Sequence, residues 1–323
     1  MGYYTGKKAL VTGGTGFLGS HVVEALLAEG ASVRVASRPP EANPFPGDAE
    51  AVASNLYDLQ ECRKAARGMD YIFHLAAFGW GLGANVQAQP ALFTNNVLLN
   101  TTMLEAAYQE GVKRYLLTSS SAVYDGSFTV LDDTLSWGGD PHPSEFCFGW
   151  AKRAAELQAR AYVQHYGMEI AVVRPSNPYG TRDNVDPERS HVIPALIRRA
   201  VSREHPLVIW GTGRAVRSFV YAGDVAQAML LALERCATGD PLNVASQERT
   251  SIADLTRLVL NLCNYHDAQL QFDTSKPEGH PGKFPTIAKA QEKIGFKADT
   301  SLREGLEKTI AWFTETQMAG QRR

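Results

Sequence analysis

Residues 9–19 read Ala-Leu-Val-Thr-Gly-Gly-Thr-Gly-Phe-Leu-Gly, a short apolar strand that runs into a glycine-rich turn. Apolar residues then recur at helical spacing as far as Gly30, which stands where such a helix would end. Glycine suits this turn because the chain bends sharply, a pyrophosphate must approach the backbone and the helix must pack closely on the strand. Unpaired N–H groups at the start of the helix would bind the phosphates. The stretch therefore predicts a dinucleotide site at Gly13, Gly16 and Gly19.

The end of the second strand indicates which dinucleotide is bound. An acidic residue at this place binds the ribose hydroxyls of NAD, whereas an arginine accommodates the 2′-phosphate of NADP. Residues 32–36 form the predicted strand, and Ser37 and Arg38 follow it with no carboxylate at the strand end. NADP is therefore favoured over NAD, although Arg38 also fits the simpler interpretation of a solvated surface arginine.

Strands and helices alternate along the first half of the chain. Residues 71–77 and 115–120 are apolar runs typical of buried strands, and residues 92–108 between them have a helical pattern. A second long helix is predicted over residues 150–165, followed by a strand over residues 170–173. This alternation indicates an α/β protein with a Rossmann-type, doubly wound parallel sheet covered by helices.

The character of the sequence changes after Gly180, where short strands and helices are mixed with proline and glycine. No internal repeat or flexible linker separates the two parts of the chain. We therefore expect two interleaved lobes. Residues 1–176 plus 219–246 would form the Rossmann domain that binds the cofactor, and residues 177–218 plus 247–323 a smaller mixed α/β substrate lobe.

The composition narrows the function further. The 323 residues are 44% hydrophobic and carry a formal net charge of −2, so they can bury a large core and have no basic surplus. This charge balance gives no indication of nucleic acid or an anionic membrane as a partner. The four cysteines are scattered, without metal-ligand spacing or the density of a disulfide scaffold. No apolar segment suits secretion or approaches the ~20 residues of a membrane span. These features predict a soluble cytoplasmic protein with no metal site.

Together, these motifs resemble the extended short-chain dehydrogenases/reductases of the nucleotide-sugar epimerase/dehydratase family, over essentially the whole chain. Residues 12–19 are similar to the family's phosphate turn, residues 58–59 to its adenine contact and residues 74–77 to its fourth strand. The resemblance implies an NAD(P) cofactor. The residues that it places in contact with this cofactor are Gly13, Gly16, Phe17, Leu18, Gly19, Ser37, Arg38, Asp58, Leu59, Leu75, Ala76, Ala77, Lys152 and Pro175.

The second lobe resembles that of the GDP-L-fucose synthases, in residues 177–180, 183–184, 190–197 and 210–213. These segments discriminate better than the glycine turn, because many unrelated reactions share the cofactor domain. The resemblance implies a GDP-hexose of the 4-keto-6-deoxy type as the nucleoside-diphosphate sugar, and a homodimer that pairs the two long helices into a bundle. The substrate contacts it implies are Ser121, Asn177, Val192, Trp210 and Lys283, with Arg199 and Arg217 on the diphosphate.

Catalysis in this family relies on a serine, a tyrosine and a lysine four residues after the tyrosine. Ser120 and Lys152 match the serine and the lysine, but Phe148 stands at the position of the tyrosine. Phenylalanine carries no proton to transfer, and loss of a general acid typically costs about 10²- to 10⁴-fold in rate. His191 matches the family's histidine, whereas Ala122 stands where a cysteine used in epimerisation is expected.

Three interpretations of Phe148 stay open at this point. The chain is an epimerase/reductase disabled by a laboratory Tyr→Phe substitution, a natural enzyme that moves the proton through Ser120, His191 or a water, or an NADP-binding regulator without turnover. A redox-neutral epimerase of another nucleotide sugar is the alternative enzyme. The serine, the lysine, the histidine and the arginines favour an enzyme. Residues that could replace the missing acid, or be only loop or packing residues, are Tyr124, Glu145, Cys147 and Tyr179.

Overall fold

The computed structural model describes residues 2–37, 45, 47–135, 137–276 and 278–321. The NADP prediction at Arg38 lies outside these residues. The strands, in chain order, are β1 (Lys8–Thr12), β2 (Ser32–Ser37), β3 (Ala49–Ala53), β4 (Tyr71–His74), β5 (Arg114–Thr118), β6 (Val130–Leu131), β7 (Glu169–Pro175), β8 (Pro178–Tyr179), β9 (Leu207–Trp210), β10 (Val216–Arg217), β11 (Val220–Tyr221), β12 (Thr238–Val244), β13 (Thr250–Ser251), β14 (Leu270–Asp273) and β15 (Gly282–Pro285).

Helices connect most of these strands. The α-helices are α1 (Phe17–Ala28), α2 (Leu59–Ala66), α3 (Leu82–Gln87), α4 (Gln89–Gln109), α5 (Phe146–Tyr166), α6 (Val192–Val201), α7 (Ala222–Arg235), α8 (Ile252–Leu262), α9 (Ala288–Ile294) and α10 (Leu302–Gln321). Short 3₁₀ helices span Ser121–Val123, Asp133–Leu135 and Pro143–Glu145. Among the described residues, no helix combines the length and the apolar character that crossing a membrane requires.

The main sheet has seven parallel strands in the order β12-β7-β5-β4-β1-β2-β3. The chain winds outward from β1 to β3 on one side and from β4 to β12 on the other. The strand order therefore reverses between β1 and β4, the place where a doubly wound sheet binds its ligand at the carboxyl ends of the strands. This topology confirms the Rossmann-type α/β fold predicted from the alternating pattern.

Both faces of the sheet are covered, which explains why its strands are continuous apolar runs. Val11 and Phe73 point into a core formed with α1 and α7. Leu10 and Ile72, the neighbouring residues on the same strands, point into a second core formed with α2, α4 and α5. A strand that alternates between two buried faces has no polar side, so its pattern contains no polar alternation.

The smaller lobe has its own core, formed by side chains of α6, α8 and α10 such as Leu196, Leu255 and Leu306. Its largest sheet has four strands in the order β13-β10-β15-β6. Strand β6 lies between β5 and α5 in sequence, yet it pairs in parallel with β15 near the end of the chain. The first part of the chain therefore supplies one strand to the sheet of the second lobe.

The predicted helix over residues 150–165 is longer than expected, because α5 begins at Phe146. The 3₁₀ turn Pro143–Glu145 runs directly into α5, so the aromatic residues at its start are helical. The helix ends at Gly167, whose φ of +67° is the left-handed conformation that glycine adopts readily. The early start places Phe148 and Lys152 on the same helix, one turn apart.

Candidate functional site

The glycine turn leaves space that only glycine can provide. A Cβ on Gly13, which has a φ of +68°, would lie 2.9 Å from the backbone N of Ala76. A Cβ on Gly19 would lie 2.0 Å from the carbonyl O of Gly13. Helix α1 starts at Phe17 directly after Gly16, which has no side chain to cap the first N–H groups. The turn therefore fits the pyrophosphate of a dinucleotide, as its sequence predicted.

We expect Gly19→Ala to raise the dissociation constant for NADP at least about tenfold, equivalent to about 1.4 kcal/mol. The added methyl group overlaps the Gly13 carbonyl, so the turn must move away from the position that the phosphates require. Isothermal titration calorimetry with NADP measures the effect. Gly223→Ala is the control, because its added Cβ meets only the side chain of Tyr221, at 3.1 Å or more. Unchanged affinity in Gly19→Ala would contradict the assignment.

A buried polar chain fixes the end of β4 beside this turn. The Ala76 N–H donates to Thr12 Oγ1 over 3.2 Å, and Thr12 Oγ1 lies 2.8 Å from His74 Nδ1. His74 Nε2 lies 3.1 Å from Asn100 Oδ1 on α4. Burial lowers the pKa of His74 to about 3, so the ring is neutral at physiological pH. These hydrogen bonds thus hold residues 75–77, the predicted cofactor contacts that follow β4, against the glycine turn.

The other predicted cofactor residues lie at ends of elements. Phe17 and Leu18 begin α1, Ser37 ends β2, and Pro175 ends β7. Asp58 accepts hydrogen bonds from the backbone N atoms of Gln60 and Glu61 and so caps α2, whose first residue is Leu59. An aspartate at this place is thus accounted for by helix capping alone, and its role toward adenine stays a prediction.

The serine of the predicted catalytic set lies just beyond β5. Ser120 Oγ accepts a hydrogen bond of 3.1 Å from the N–H of Ala122 and caps the 3₁₀ helix Ser121–Val123. Gly149 of α5 packs on this helix so closely that a Cβ would lie 2.4 Å from the Ala122 carbonyl O. The first turn of α5 therefore packs directly on the 3₁₀ helix that Ser120 caps.

Lys152 reaches back from α5 to the same place. Its Nζ donates to the carbonyl O of Thr118, the last residue of β5, over 2.8 Å. The same Nζ lies 5.6 Å from the centre of the Phe148 ring, and the lysine is only 3% exposed. Burial lowers the pKa of Lys152 to about 8, against the opposing effect of the Glu156 carboxylate. The structure thus brings Lys152 and Phe148 together at the end of the strand that precedes Ser120.

A buried ion pair supports this arrangement from below. Glu156, one turn after Lys152, accepts hydrogen bonds from Arg174 Nε over 2.7 Å and from Arg174 Nη2 over 2.5 Å. Ser119 Oγ donates to the same carboxylate over 2.5 Å. Arg174 and Glu156 are 0% and 3% exposed. The hydrogen bonds of Glu156 thus connect α5 to Arg174 of β7 and to Ser119, which directly follows β5 and precedes Ser120.

The two tyrosines considered as replacements for the missing acid are structural. The Tyr124 hydroxyl donates to Asn243 Oδ1 over 2.6 Å and accepts from Arg174 Nη1 over 3.1 Å. The Tyr179 hydroxyl donates to the carbonyl O of Leu302 over 3.3 Å. Burial raises the pKa of both phenols. Both hydroxyls are thus committed to hydrogen bonds within the protein.

The cysteine considered for the same role faces a surface cavity. The Cys147 N–H donates to Gln89 Oε1 over 2.9 Å, and Cys147 lines a cavity of about 670 Å³ together with Asp125, Asp140 and Phe146. None of the predicted site residues lines this cavity. We therefore do not assign this cavity to the reaction considered below.

His191 forms a pair with Asp183, an acidic residue eight positions earlier in the chain. His191 Nδ1 lies 3.0 Å from Asp183 Oδ1, and the carboxylate is 2% exposed while the imidazole is half-exposed. Burial opposes the charged imidazole, but the hydrogen bond and the charge of Asp183 outweigh it and raise the pKa of His191. His191 immediately precedes α6, so its position is fixed by the helix start as well as by Asp183.

We expect Asp183→Asn to lower the pKa of His191, because the amide keeps a hydrogen-bond acceptor but removes the charge. The paired imidazolium stabilises the folded chain fully below the ordinary pKa of 6.5, and this stabilisation is lost as the pH rises through the raised value. NMR titration of the imidazole measures the pKa directly. His266, which is exposed between α8 and β14, provides the internal reference signal. An unchanged His191 titration would show that Asp183 does not control it.

The cationic side chains of the small lobe lie on adjacent strands. Arg217 on β10 is paired in register with Lys283 on β15. Lys283 Nζ forms an ion pair with the Glu145 carboxylate, which comes from the turn before α5. Burial opposes ionisation of Glu145, but Lys283 and then Arg217 lower the pKa of this carboxyl. Glu145, a candidate acid in the sequence, is therefore the ionised partner of a predicted substrate lysine.

The remaining predicted substrate residues are distributed around this lobe. Asn177, at a φ of 43°, donates from Nδ2 to the carbonyl O of Ser218 over 3.0 Å. Trp210 is 47% exposed, and its ring packs on Gly83 so closely that a Cβ at that position would lie 3.1 Å from it. Ser121 is buried and Val192 begins α6.

Arg199 stands apart from the other predicted diphosphate ligand. Its Nε and Nη2 donate to Glu204 Oε1 over 2.9 and 2.7 Å, and its Nη2 also donates to the carbonyl O of Val208. The contacts of Arg199 thus lie within its own lobe segment, whereas Lys283 reaches Glu145 and Arg217 donates to the carbonyl O of Val216. The predicted role of Arg199 on a diphosphate requires it to exchange the Glu204 pair for the ligand.

Two contacts between residues that are far apart in the chain were not apparent from the sequence. The Glu145 and Lys283 pair joins residues far apart in the chain, and so does the contact of 5.1 Å between the rings of His142 and His280. The pair of Arg174 with Glu156 has a signal in the sequence. Arg174 directly follows an apolar run, and a charged residue buried at the end of such a run requires a compensating anion.

The chain is similar over almost its full length to proteins that are named as nucleotide-sugar enzymes. Probable GDP-L-fucose synthase from Drosophila melanogaster is 30% identical, over 96% of this chain and 98% of its own. dTDP-4-dehydro-6-deoxy-D-allose reductase from a Streptomyces species is 31% identical, over 96% of this chain and 97% of its own. The structure of UDP-glucose 4-epimerase from Thermotoga maritima has a TM-score of 0.86 at 27% identity, covering 96% of this chain and 99% of that one. The sequence model of the NAD dependent epimerase/dehydratase family matches residues 9–245, and the chain belongs to this family.

Proposed function

We propose that the chain is an NADP-dependent epimerase/reductase of a nucleoside-diphosphate hexose, with a GDP-linked 4-keto-6-deoxy hexose as the substrate. One observation carries the proposal. Lys152 on α5 is buried beside the segment of Ser120 in the cofactor half, and Lys283 of the other half, which is in register with Arg217, pairs with Glu145 directly before α5. A predicted cofactor residue and cationic side chains of the other half are thus connected to the same end of one helix.

The names of two relatives support the substrate class. One is a probable GDP-L-fucose synthase, and another is a reductase of a 4-dehydro-6-deoxy sugar linked to dTDP. Both share essentially the whole length of the chain, including the small lobe that would bind the sugar nucleotide. Arginine and lysine in that lobe suit a diphosphate, because their charge persists at neutral pH and arginine donates paired hydrogen bonds.

The choice of NADP rests on the end of β2. Ser37 is the last residue of that strand, and it carries no charge to repel a 2′-phosphate. The glycine turn and residues 75–77 would hold the dinucleotide, and Lys152 would hold its nicotinamide ribose. When bound, the nicotinamide supplies or accepts a hydride. We propose residues 1–176 plus 219–246 as the cofactor lobe and the rest as the sugar-nucleotide lobe.

The proposal includes a homodimer. Apolar side chains of α4 and α5 are exposed at 38% to 54%, among them Phe93, Leu98, Trp150 and Leu157. These helices pack on each other through their other faces. A second copy that pairs the same two helices would cover the exposed faces in a symmetric bundle. Light scattering coupled to size-exclusion chromatography measures the mass of the particle.

Turnover of a defined substrate panel tests the function. The chain and its Phe148→Tyr variant are incubated with NADPH and GDP-, UDP- and dTDP-hexoses, including 4-keto-6-deoxy forms. Products are identified by mass spectrometry and NMR. A net reductase consumes NADPH in proportion to product, whereas a redox-neutral epimerase forms product without consuming it. Tight NADP binding with no product from either protein would identify a regulator instead.

A further inference from the structure

The surroundings of Lys152 are unusual for a charged group. Its ammonium is buried, and its hydrogen bond is to the uncharged carbonyl O of Thr118. Within the described part of the chain, no carboxylate forms an ion pair with it. The Glu156 carboxylate on the same helix is already bound by Arg174 and Ser119, and the nearby His74 ring of β4 is neutral.

The ammonium has more donors than the described residues use. Lysine carries three N–H groups, and one of them bonds to Thr118. The Phe148 ring, whose centre lies 5.6 Å away, offers a weak π contact in place of a hydroxyl. Two N–H groups are therefore left for groups that enter the site from outside the described protein.

The other proton carriers near the site have commitments of their own. Ser120 Oγ accepts the Ala122 N–H, and an alcohol is a poor acid at neutral pH. The phenols of Tyr124 and Tyr179 are buried and hydrogen-bonded within the protein. Glu145 is held ionised by Lys283. Of these groups, Lys152, which lies one turn after Phe148 on α5 with its ammonium 5.6 Å from the centre of that ring, still carries a transferable proton.

We propose that Lys152 is itself the general acid of this enzyme and protonates the sugar carbonyl oxygen as the carbonyl is reduced. The inference rests on the proposed function. The carbonyl carbon accepts a hydride from NADPH, the C=O π bond breaks, and the oxygen takes a proton from the Lys152 ammonium. NADPH is oxidised to NADP⁺, the ketone is reduced to an alcohol, and the neutral amine regains its proton from water.

The electrostatics of the site suit this role. A general acid works best when its pKa lies near the working pH, and burial brings the pKa of Lys152 to about 8. The protonated form, which reduction requires, is lost as the pH rises through this value. Burial sets this pKa, and the charge of Glu156 opposes it. The other charged or titratable groups around Lys152 are Arg174, which is paired with Glu156, and His74, which is neutral above its own low pKa.

Two substitutions separate proton transfer from charge. Lys152→Ala removes the acid, and we expect kcat for carbonyl reduction to fall at least about 10²-fold. Added alkylamines should restore part of the rate, in an order that follows their pKa values. Lys152→Arg keeps the positive charge but does not release a proton near neutral pH. We expect it to lose turnover as Lys152→Ala does even at saturating NADPH, and calorimetry with NADP gives the concentration that saturation requires.

The pH profile provides a third measurement. The parent chain should lose kcat for reduction as the pH rises through about 8, and Phe148→Tyr should move or remove this limb because a phenol takes over the proton. Turnover by Lys152→Arg at the parent rate, or no amine rescue of Lys152→Ala, would overturn the proposal and leave the function standing. No product from the parent chain and from Phe148→Tyr on any sugar would overturn the function, and the role of Lys152 with it.

Discussion

Replacement of Phe148 by tyrosine is expected to raise kcat for carbonyl reduction at pH 7, by less than the full contribution of a general acid, about 10²- to 10⁴-fold, because Lys152 already supplies a proton. The substitution adds one hydroxyl to a ring whose centre lies 5.6 Å from the Lys152 ammonium. A nearby positive charge lowers the pKa of a phenol, so the new group would be a positioned acid with a pKa closer to neutrality. Stopped-flow measurement of NADPH oxidation with the substrate found in the panel gives kcat directly.

Phe146→Tyr is the matched control for this substitution. Phe146 lies two residues earlier on the same helix and is 40% exposed, so its hydroxyl would enter solvent. We expect kcat of Phe146→Tyr to equal that of the parent chain. Equal rates for the parent chain, Phe146→Tyr and Phe148→Tyr would contradict the prediction, because the hydroxyl at position 148 would then contribute nothing to proton transfer.

The second large effect is expected from Glu156→Gln, which should lower the free energy of unfolding by about 3 to 5 kcal/mol. The substitution keeps the shape of the side chain but removes the charge that compensates Arg174, and Arg174 is 0% exposed. A buried guanidinium without its anion has lost its hydration and gained no counterion. Urea denaturation followed by circular dichroism gives the free energy of unfolding.

Two further variants distinguish this explanation from a general effect of removing a carboxylate. Glu61→Gln breaks an exposed pair with Lys64 and should cost at most about 0.5 kcal/mol. The double variant Glu156→Leu/Arg174→Met removes both charges and should recover most of the stability. A cost below about 1 kcal/mol for Glu156→Gln would mean that Arg174 finds other compensation.

The sequence predicted the parts of the fold that depend on local pattern. The glycine turn of residues 13–19 has the strand before it and the helix after it, and the apolar runs at β4, β5 and β7 are buried strands. These elements are recognisable because their periodicity and their turn residues are contained in short windows. The start of α5 was missed by four residues, since its aromatic first turn has no clear helical period.

The parts that could not be predicted depend on contacts between distant segments. No local pattern indicates that Glu145 pairs with Lys283, or that Arg199 binds Glu204. The predicted strand ended at residue 173, so neither the inclusion of Arg174 in β7 nor its partner on α5 was predicted. The resemblance named Arg199 and Arg217 together as diphosphate ligands, whereas their present contacts differ because each depends on its own tertiary neighbours.

The strand β6 has a consequence for how ligands reach the cleft between the lobes. The Phe284 N–H donates to the Thr129 carbonyl O and the Thr286 N–H to the Leu131 carbonyl O, each over 2.9 Å. A hinge rotation that separated the lobes would have to break this ladder in every catalytic cycle. The two halves are instead joined when the chain folds, so the ordering cost of assembling the cleft is incurred once. If the proposed sugar nucleotide binds between these halves, its affinity would not include the cost of joining them.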